Sequence, residues 1–215
     1  MISYPETIKA GFAAEKRGDK RRAAELFESA GRLTDSLVEK AKAMQLAGIN
    51  LRGYGAILDS NIRFTSAYQL ACAAKQPSLA DAIRRDWAML RIDQDDFDGA
   101  LMMLRAAKRG QEDRGEPTES ACTESFIGRV YLGQGDRNRA MMTFANADHG
   151  LKTKLDWRLN NVIWWMKSCS PGGRLFLAPR AIWLAFRSGF PRRAAEALII
   201  LVGGNRLYEF LKKVA

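Results

Sequence analysis

The chain has 215 residues, of which 47% are hydrophobic and 27% charged, so it can bury a substantial core and has no stretch apolar-poor enough to stay unfolded. Its formal charge of +10 favours acidic peptides, anionic lipid or nucleic acid without specifying any of them. Cys72, Cys122 and Cys169 are far apart and lack CxxC spacing, which excludes a disulfide framework and a cysteine zinc site and predicts buried free thiols in a reducing compartment.

The opening MISYPETIKAGFAAEKRGDKRR lacks an apolar core behind a basic segment, so secretion is not expected. Nowhere do about 18 apolar residues run together, so no transmembrane span is expected either. Residues 1–10 read as the start of a first helix, with Pro5 in its first turn and Ile8 as an apolar contact.

A repeat then begins. Gly11 is followed by Ala14, Gly18, Asp19, Ala23, Phe27 and Ala30, at offsets of 3, 7, 8, 12, 16 and 19 residues. The same frame recurs from Gly128, with Tyr131, Gly135, Asp136, Ala140, Phe144 and Ala147. A weaker copy runs from Ala88 through Arg91, Asp95, Asp96, Ala100, Leu104 and Ala107. A fourth fits Gly48, Leu51, Gly55, Ser60, Phe64 and Ala67, although it lacks the aspartate and its register competes with another through Gly55 and Ala67. A small residue on the first helix lets the second approach, Gly-Asp ends one helix and caps the next, and two alanines make room for the large residue between them. Each unit is therefore an antiparallel helical hairpin. The starts at 11, 48, 88 and 128 lie 37, 40 and 40 residues apart, which requires lengthened helices or longer connections such as Gly110–Pro117.

These small, aromatic, turn and Ala-Phe-Ala positions resemble the tetratricopeptide repeat family, whose usual period is about 34 residues. The resemblance implies an all-α fold, a right-handed α-solenoid of about four to five hairpins. Residues 1–155 would form the repeats and 156–215 a divergent, basic, tryptophan-rich helical cap packed on them. None of the units carries the family's closing proline at its usual place. The resemblance further implies a cytoplasmic adaptor or scaffold, without catalysis or cofactor, that binds a peptide along the concave surface made by the first helix of each hairpin. Carried over by offset, that groove comprises Ile8, Phe12, Glu15 and Lys16; Gln45, Ile49 and Arg52; Arg85, Met89 and Ile92; and Phe126 and Arg129. Arg52, Arg85 and Arg129 would orient carboxylates of an acidic, partly apolar partner. The groove lacks the Lys/Asn pattern of the subfamily that clamps a C-terminal carboxylate. Homo-oligomerisation stays open.

Beyond Asp156 the composition changes. Residues 156–215 hold 10 Lys/Arg against 3 Asp/Glu and four of the five tryptophans, Trp157, Trp164, Trp165 and Trp183. Helices are expected over 154–168, 175–188, 191–202 and 205–214, with Ser170-Pro-Gly-Gly173 as a break. Arg192-Arg193-Ala194-Ala195-Glu196 echoes Arg21-Arg22-Ala23-Ala24-Glu25, and Gly189, Ala194, Leu198 and Leu201 repeat the turn-and-core offsets. Two readings of this region stay open. In one, the aromatics, Phe210 among them, fill the end of the solenoid core. In the other, Trp164, Trp165, Arg174, Phe176, Arg180, Trp183, Arg187, Phe190, Arg192 and Arg193 meet an anionic membrane surface, where apolar faces enter the acyl boundary and basic heads meet phosphate.

Catalytic and metal signatures are weak. His149 is the sole histidine, and the acidic run Asp93–Asp98 lacks the glycine and terminal glutamate of a calcium loop, which makes it a helix cap. Gly172-Gly173 and Gly203-Gly204 lack a following Lys-Ser/Thr, and Ser170 lies in no GxSxG turn. Nucleic-acid binding is a fallback resting on basic residues interleaved with aromatics, with no zinc finger, RNA-recognition strand motif or helix-turn-helix beside them.

Overall fold

Ten helices are arranged in chain order in the computed structural model: α1 (Tyr4–Lys16), α2 (Lys20–Arg32), α3 (Leu37–Tyr54), α4 (Ile57–Ala73), α5 (Pro77–Asp93), α6 (Phe97–Asp113), α7 (Pro117–Gly133), α8 (Arg137–Gly150), α9 (Leu155–Ser168) and α10 (Pro171–Arg187). A further helix, α11, covers 193–202. The structure describes residues 3–190 and 193–202, and no strand occurs among them. Arg192, Phe210 and the expected helix at 205–214 lie outside the described residues. The chain divides into two compact units, Met1–Gly110 and Gln111–Ala215, the division falling within α6.

In the first unit each of α1 to α4 packs on the next helix, and α3 also touches α5. The repeat frame explains how. A methyl group added at Gly11 would lie 2.6 Å from a ring carbon of Phe27, so only glycine lets that ring rest on the α1 backbone. At Gly48 the corresponding distance to the Phe64 ring is 3.2 Å, which settles the register of the fourth unit. Ser60, where the other hairpins carry alanine, donates its hydroxyl to the Gly48 carbonyl at 2.8 Å. The Ala88 hairpin solves the same problem differently. Ala88 and Leu104 are both fully buried, a methyl gained on one side and a ring lost on the other. Its turn places Asp95 at φ 59°, in the left-handed region where the turns inside the other three repeat hairpins use Gly18, Gly55 and Gly135. Asp96 then caps α6 by accepting from the Gly99 N–H at 3.0 Å. Arg91, at the position usually apolar, reaches Asp96 at 3.3 Å.

The longer period sits in the helices. α4 to α7 each have 17 residues, and only residues 114–116 separate α6 from α7, so Gly110–Pro117 is not the long connection expected.

In the second unit α7 packs on α8 in the same frame. A methyl group at Gly128 would lie 2.7 Å from Phe144, Gly135 turns at φ 81°, and Asp136 accepts from the Arg139 N–H at 3.0 Å. The α9–α10 pair lacks such a glycine. Leu159, Val162, Ile163 and Met166 of α9 instead pack with Leu177, Ala181 and Leu184 of α10 and with Ala194, Ala197 and Ile200 of α11. The break before α10 is confined to Cys169 and Ser170. Pro171 occupies the first turn, where its missing N–H costs nothing, so α10 begins four residues earlier than expected. In α11 Ala194 is buried as its frame requires, but Leu198 is exposed and Ala197 and Ile200 are buried in its stead. Leu201, the last frame residue, is half-buried against the same core.

A buried carboxylate holds this second core together. Asp148 of α8 accepts from Arg158 of α9 through both oxygens, at 3.0 and 3.1 Å, and also from Arg180 of α10. Cys122 and Cys169 are buried thiols, whereas Cys72 is exposed.

Candidate functional site

The first-helix face of the first unit is built from α1, α3 and α5. Two polar rungs join α3 to α5. Gln45 Nε2 donates to Asp86 at 2.7 Å, and Arg52 Nε lies 3.1 Å from Asp93 Oδ2. Half-buried Ile49 lies between Gln45 and Arg52 on α3, while Met89 and Arg85 on α5 are buried and Ile92 is half-buried. The structure thus brings the expected α3 and α5 residues onto adjoining faces and adds Asp86 and Asp93 as their carboxylate partners. On α1, Phe12 stays 47% exposed with its ring edge-on to Phe27, centroids 5.2 Å apart. Lys16 is exposed, and Ile8 packs against the Phe27 core.

In the second unit the corresponding faces of α7 and α9 meet around a stacked cation. The Arg129 guanidinium lies 4.2 Å from the Phe126 ring centroid and 4.9 Å from that of Trp164. Lys167 sits 4.3 Å from the same Trp164 ring, and Trp157 tilts against Phe126 at 6.0 Å. Phe126 and Arg129 are buried, so this cluster is chiefly a rigid aromatic–cation wall. No repeat offset marks Trp157 and Trp164 for this cluster, because their place in it depends on which α9 face turns toward α7. Beside it a cleft of about 260 Å³ is lined by Asp156, Trp157, Asn160, Phe190 and Arg193, with Arg193 hydrogen-bonded to Asn160 at 3.3 Å and to Glu196 at 3.1 Å.

The residues expected at a lipid surface separate into two sets. Trp165 packs on the α9–α10 core, Trp164 faces Arg129, and Arg174 is half-buried. Phe176, Trp183 and Phe190 are exposed, together with Leu175 and Phe186, which the expected set omits. No described helix is long and apolar enough to cross a membrane.

Among the described residues no group of three or more His, Cys, Asp or Glu side chains is placed to hold a metal ion. His149 is exposed near the end of α8. Burial pushes the Tyr68 hydroxyl above its ordinary range and the Cys72 hydrogen bond adds to this, while Arg84, stacked 4.7 Å over the ring, pulls the other way. Burial likewise raises the Cys169 thiol.

No protein-family model and no curated protein matches the sequence. Solved structures match the fold throughout. A Rap protein complexed with Competence and Sporulation Factor superposes with a TM-score of 0.82 at 14% identity, over 98% of this chain and 63% of that one. Aspartyl phosphate phosphatase F from Bacillus subtilis gives 0.77 at 13% identity, over 98% and 60%. A putative Podosopora anserina kinesin light chain with nearly identical TPR-like repeats gives 0.58 at 12% identity, over 98% and 96%. The chain therefore has the fold of the TPR-like repeat proteins, and it spans about three-fifths of the length of the first two neighbours.

Proposed function

We propose that the chain is a protein-interaction adaptor whose first-helix faces hold a peptide segment of a partner, with acidic and apolar side chains. The α3–α5 face carries this reading. Its rungs, Gln45–Asp86 and Arg52–Asp93, alternate with the apolar level of Ile49 and Met89, and side chains one helical turn apart suit an extended or helical segment laid across them. The Arg52 fork offers five N–H donors and Asp93 meets it at Nε, so an incoming carboxylate can join it. Phe12 supplies an exposed aromatic anchor on α1. The Rap neighbour whose structure holds a bound factor gives the same fold a precedent for ligand capture.

Arg85 and Arg129 are buried, so reversing their charge would test folding before binding. The informative variants are Arg52→Ala and Phe12→Ala. Once a partner has been co-purified and its segment synthesised, each should weaken the measured affinity at least tenfold, about 1.4 kcal/mol. Met142→Ser, on the exposed side of α8, should leave it unchanged. Equal affinity for all three variants would remove the first-helix face as the binding surface.

A further inference from the structure

The outward face of α10 is more apolar than those of the second helices before it, of which α4 exposes Leu58 and Ile62 and α6 exposes Met102. α2 shows solvent Arg21, Arg22, Glu25 and Arg32, and α8 shows Arg137, Arg139 and Asn146 beside a single Met142. On α10 the solvent instead meets Leu175, Phe176, Pro179, Trp183 and Phe186, with Phe190 just past the helix end. The exposure is large: Phe176 is 84% accessible, Leu175 66%, Phe186 65% and Trp183 53%. At about 3.6 residues per turn these side chains fall within a single arc of roughly 100°. The opposite arc, with Leu177, Ala178, Ala181, Leu184 and Ala185, is buried in the core. α10 is thus apolar on both sides, and only the inner side is explained by folding.

Arg180 and Arg187 follow one border of the exposed arc. Arg187 lies 5.4 Å over the Trp183 ring, and Arg180 is anchored on Asp148. No acidic residue occurs between Asp156 and Glu196, an interval that holds seven Lys/Arg. We infer that the outer face of α10 is a membrane-contact surface that lies on anionic lipid, with Phe176, Trp183 and Phe186 entering the acyl boundary and Arg187 meeting lipid phosphates. Charge complementarity selects this occupant. A second copy of the chain, docked face to face about a twofold axis, would set Arg187 and the acid-free basic run of each copy against each other. An anionic bilayer offers hydrocarbon to the aromatic stripe and negative charge to its border at the same time. The binding is peripheral, since the inner face of α10 remains committed to the core.

The test is flotation of the purified full chain with vesicles of phosphatidylcholine alone or with about one-third phosphatidylserine, at low and high salt. The chain is expected to float with the anionic vesicles, less with the neutral ones, and less at high salt. Phe176→Ser/Trp183→Ser/Phe186→Ser should lower partition at least tenfold on anionic vesicles. Arg187→Glu should lower it several-fold on anionic vesicles only. Circular dichroism should show unchanged helix content in both variants, because none of these side chains is part of the core. Failure of the wild type to float with anionic vesicles would overturn the inference, as would full flotation of the folded triple variant. Concentration-dependent dimerisation in lipid-free buffer that the triple variant abolishes would assign the face to a second copy and overturn it equally. None of these readouts depends on a peptide partner.

Discussion

The α7–α8 and α9–α10 hairpins are neighbours in one compact unit and are held together by different means. In the first, Gly128 removes a side chain so that the Phe144 ring can lie on the α7 backbone, where a methyl group would come within 2.7 Å. In the second, no glycine intervenes. Leu, Ile, Val and Met side chains of α9 pack with the leucines and alanines of α10, and Asp148 reaches across from α8 to an arginine on each helix. A glycine–aromatic lock fixes the distance between two helices through one contact. A packed aliphatic core with a buried ionic tie spreads that task over a dozen side chains.

The tie is where the comparison breaks with the largest effect. Asp148→Asn leaves Arg158 and Arg180 facing one another without a carboxylate, and removing one partner of a buried pair costs about 3–5 kcal/mol. Arg180 is one-third exposed and can turn toward water, so the lower end is expected, about 3 kcal/mol by denaturant unfolding. Loss below about 1 kcal/mol would mean that the aliphatic core alone holds α9 and α10 on α8.

The glycine lock should respond more weakly, and with a sign that depends on position. Gly128→Ala gains about 1 kcal/mol of helix propensity but forces a methyl group into a fully buried ring, an overpacking cost of about 1–3 kcal/mol, so net destabilisation is expected. At Gly48 the ring lies 3.2 Å away and has to give by only a few tenths of an ångström, so Gly48→Ala should cost less than Gly128→Ala and fall within about 0.5 kcal/mol of neutral. The Ala88 hairpin carries the compensated pair of residues at the same two offsets, with Ala88 and Leu104 both fully buried. Adding Phe144→Leu to Gly128→Ala should therefore recover part of the loss, with a coupling above about 0.5 kcal/mol. Strict additivity would show that the ring and the glycine are not one device.

The difference between the hairpins also decides how far the amino-acid order discloses them. The Gly11 and Gly128 units are legible because a backbone–ring contact tolerates one residue type at one offset of 16, so Phe27 and Phe144 recur in phase, whereas the Gly48 unit keeps Phe64 at that offset but lacks the aspartate that would exclude its rival register. The Ala88 unit is fainter because Asp95 does a glycine's work at φ 59° and a methyl group has moved from ring to helix. In α9–α10 many orders of aliphatic residues fill the same space, so the helices are visible but their inward faces are not. The same holds for α11, where Leu198 occupies the Phe27 offset and is nevertheless exposed. The candidate surfaces divide similarly. Offsets place Gln45, Ile49 and Arg52 on α3, yet their pairing with Asp86 and Asp93 is a relation between helices that no local spacing carries. Trp164 is likewise ambiguous until Arg129 is seen stacked on it. The α10 stripe did carry a signal, the alternating three- and four-residue spacing of Phe176, Pro179, Trp183, Phe186 and Phe190.

The smallest effect uses the thiols and leaves the fold untouched. Cys122 lies within α7 of the locked hairpin, Cys169 at the junction of α9 and α10, and Cys72 on the exposed side of α4. A buried thiol reacts only when its surroundings open, so labelling rates rank local stability. Cys72 should react at once with a thiol reagent at pH 8. Cys169 should follow, because the Cys169–Ser170 break needs only the first turn of α10 to fray. Cys122 should come last, since its exposure requires the α7–α8 lock to part. Burial raises the Cys169 thiol above its unfolded value, so its contribution to stability is complete below that value and is lost as pH rises through the folded one. Raising the pH from 8 toward 10 should thus speed Cys169 labelling by more than thiolate formation alone explains. Labelling of Cys122 ahead of Cys169 would reverse the ranking and make the glycine-locked hairpin the weaker of the two.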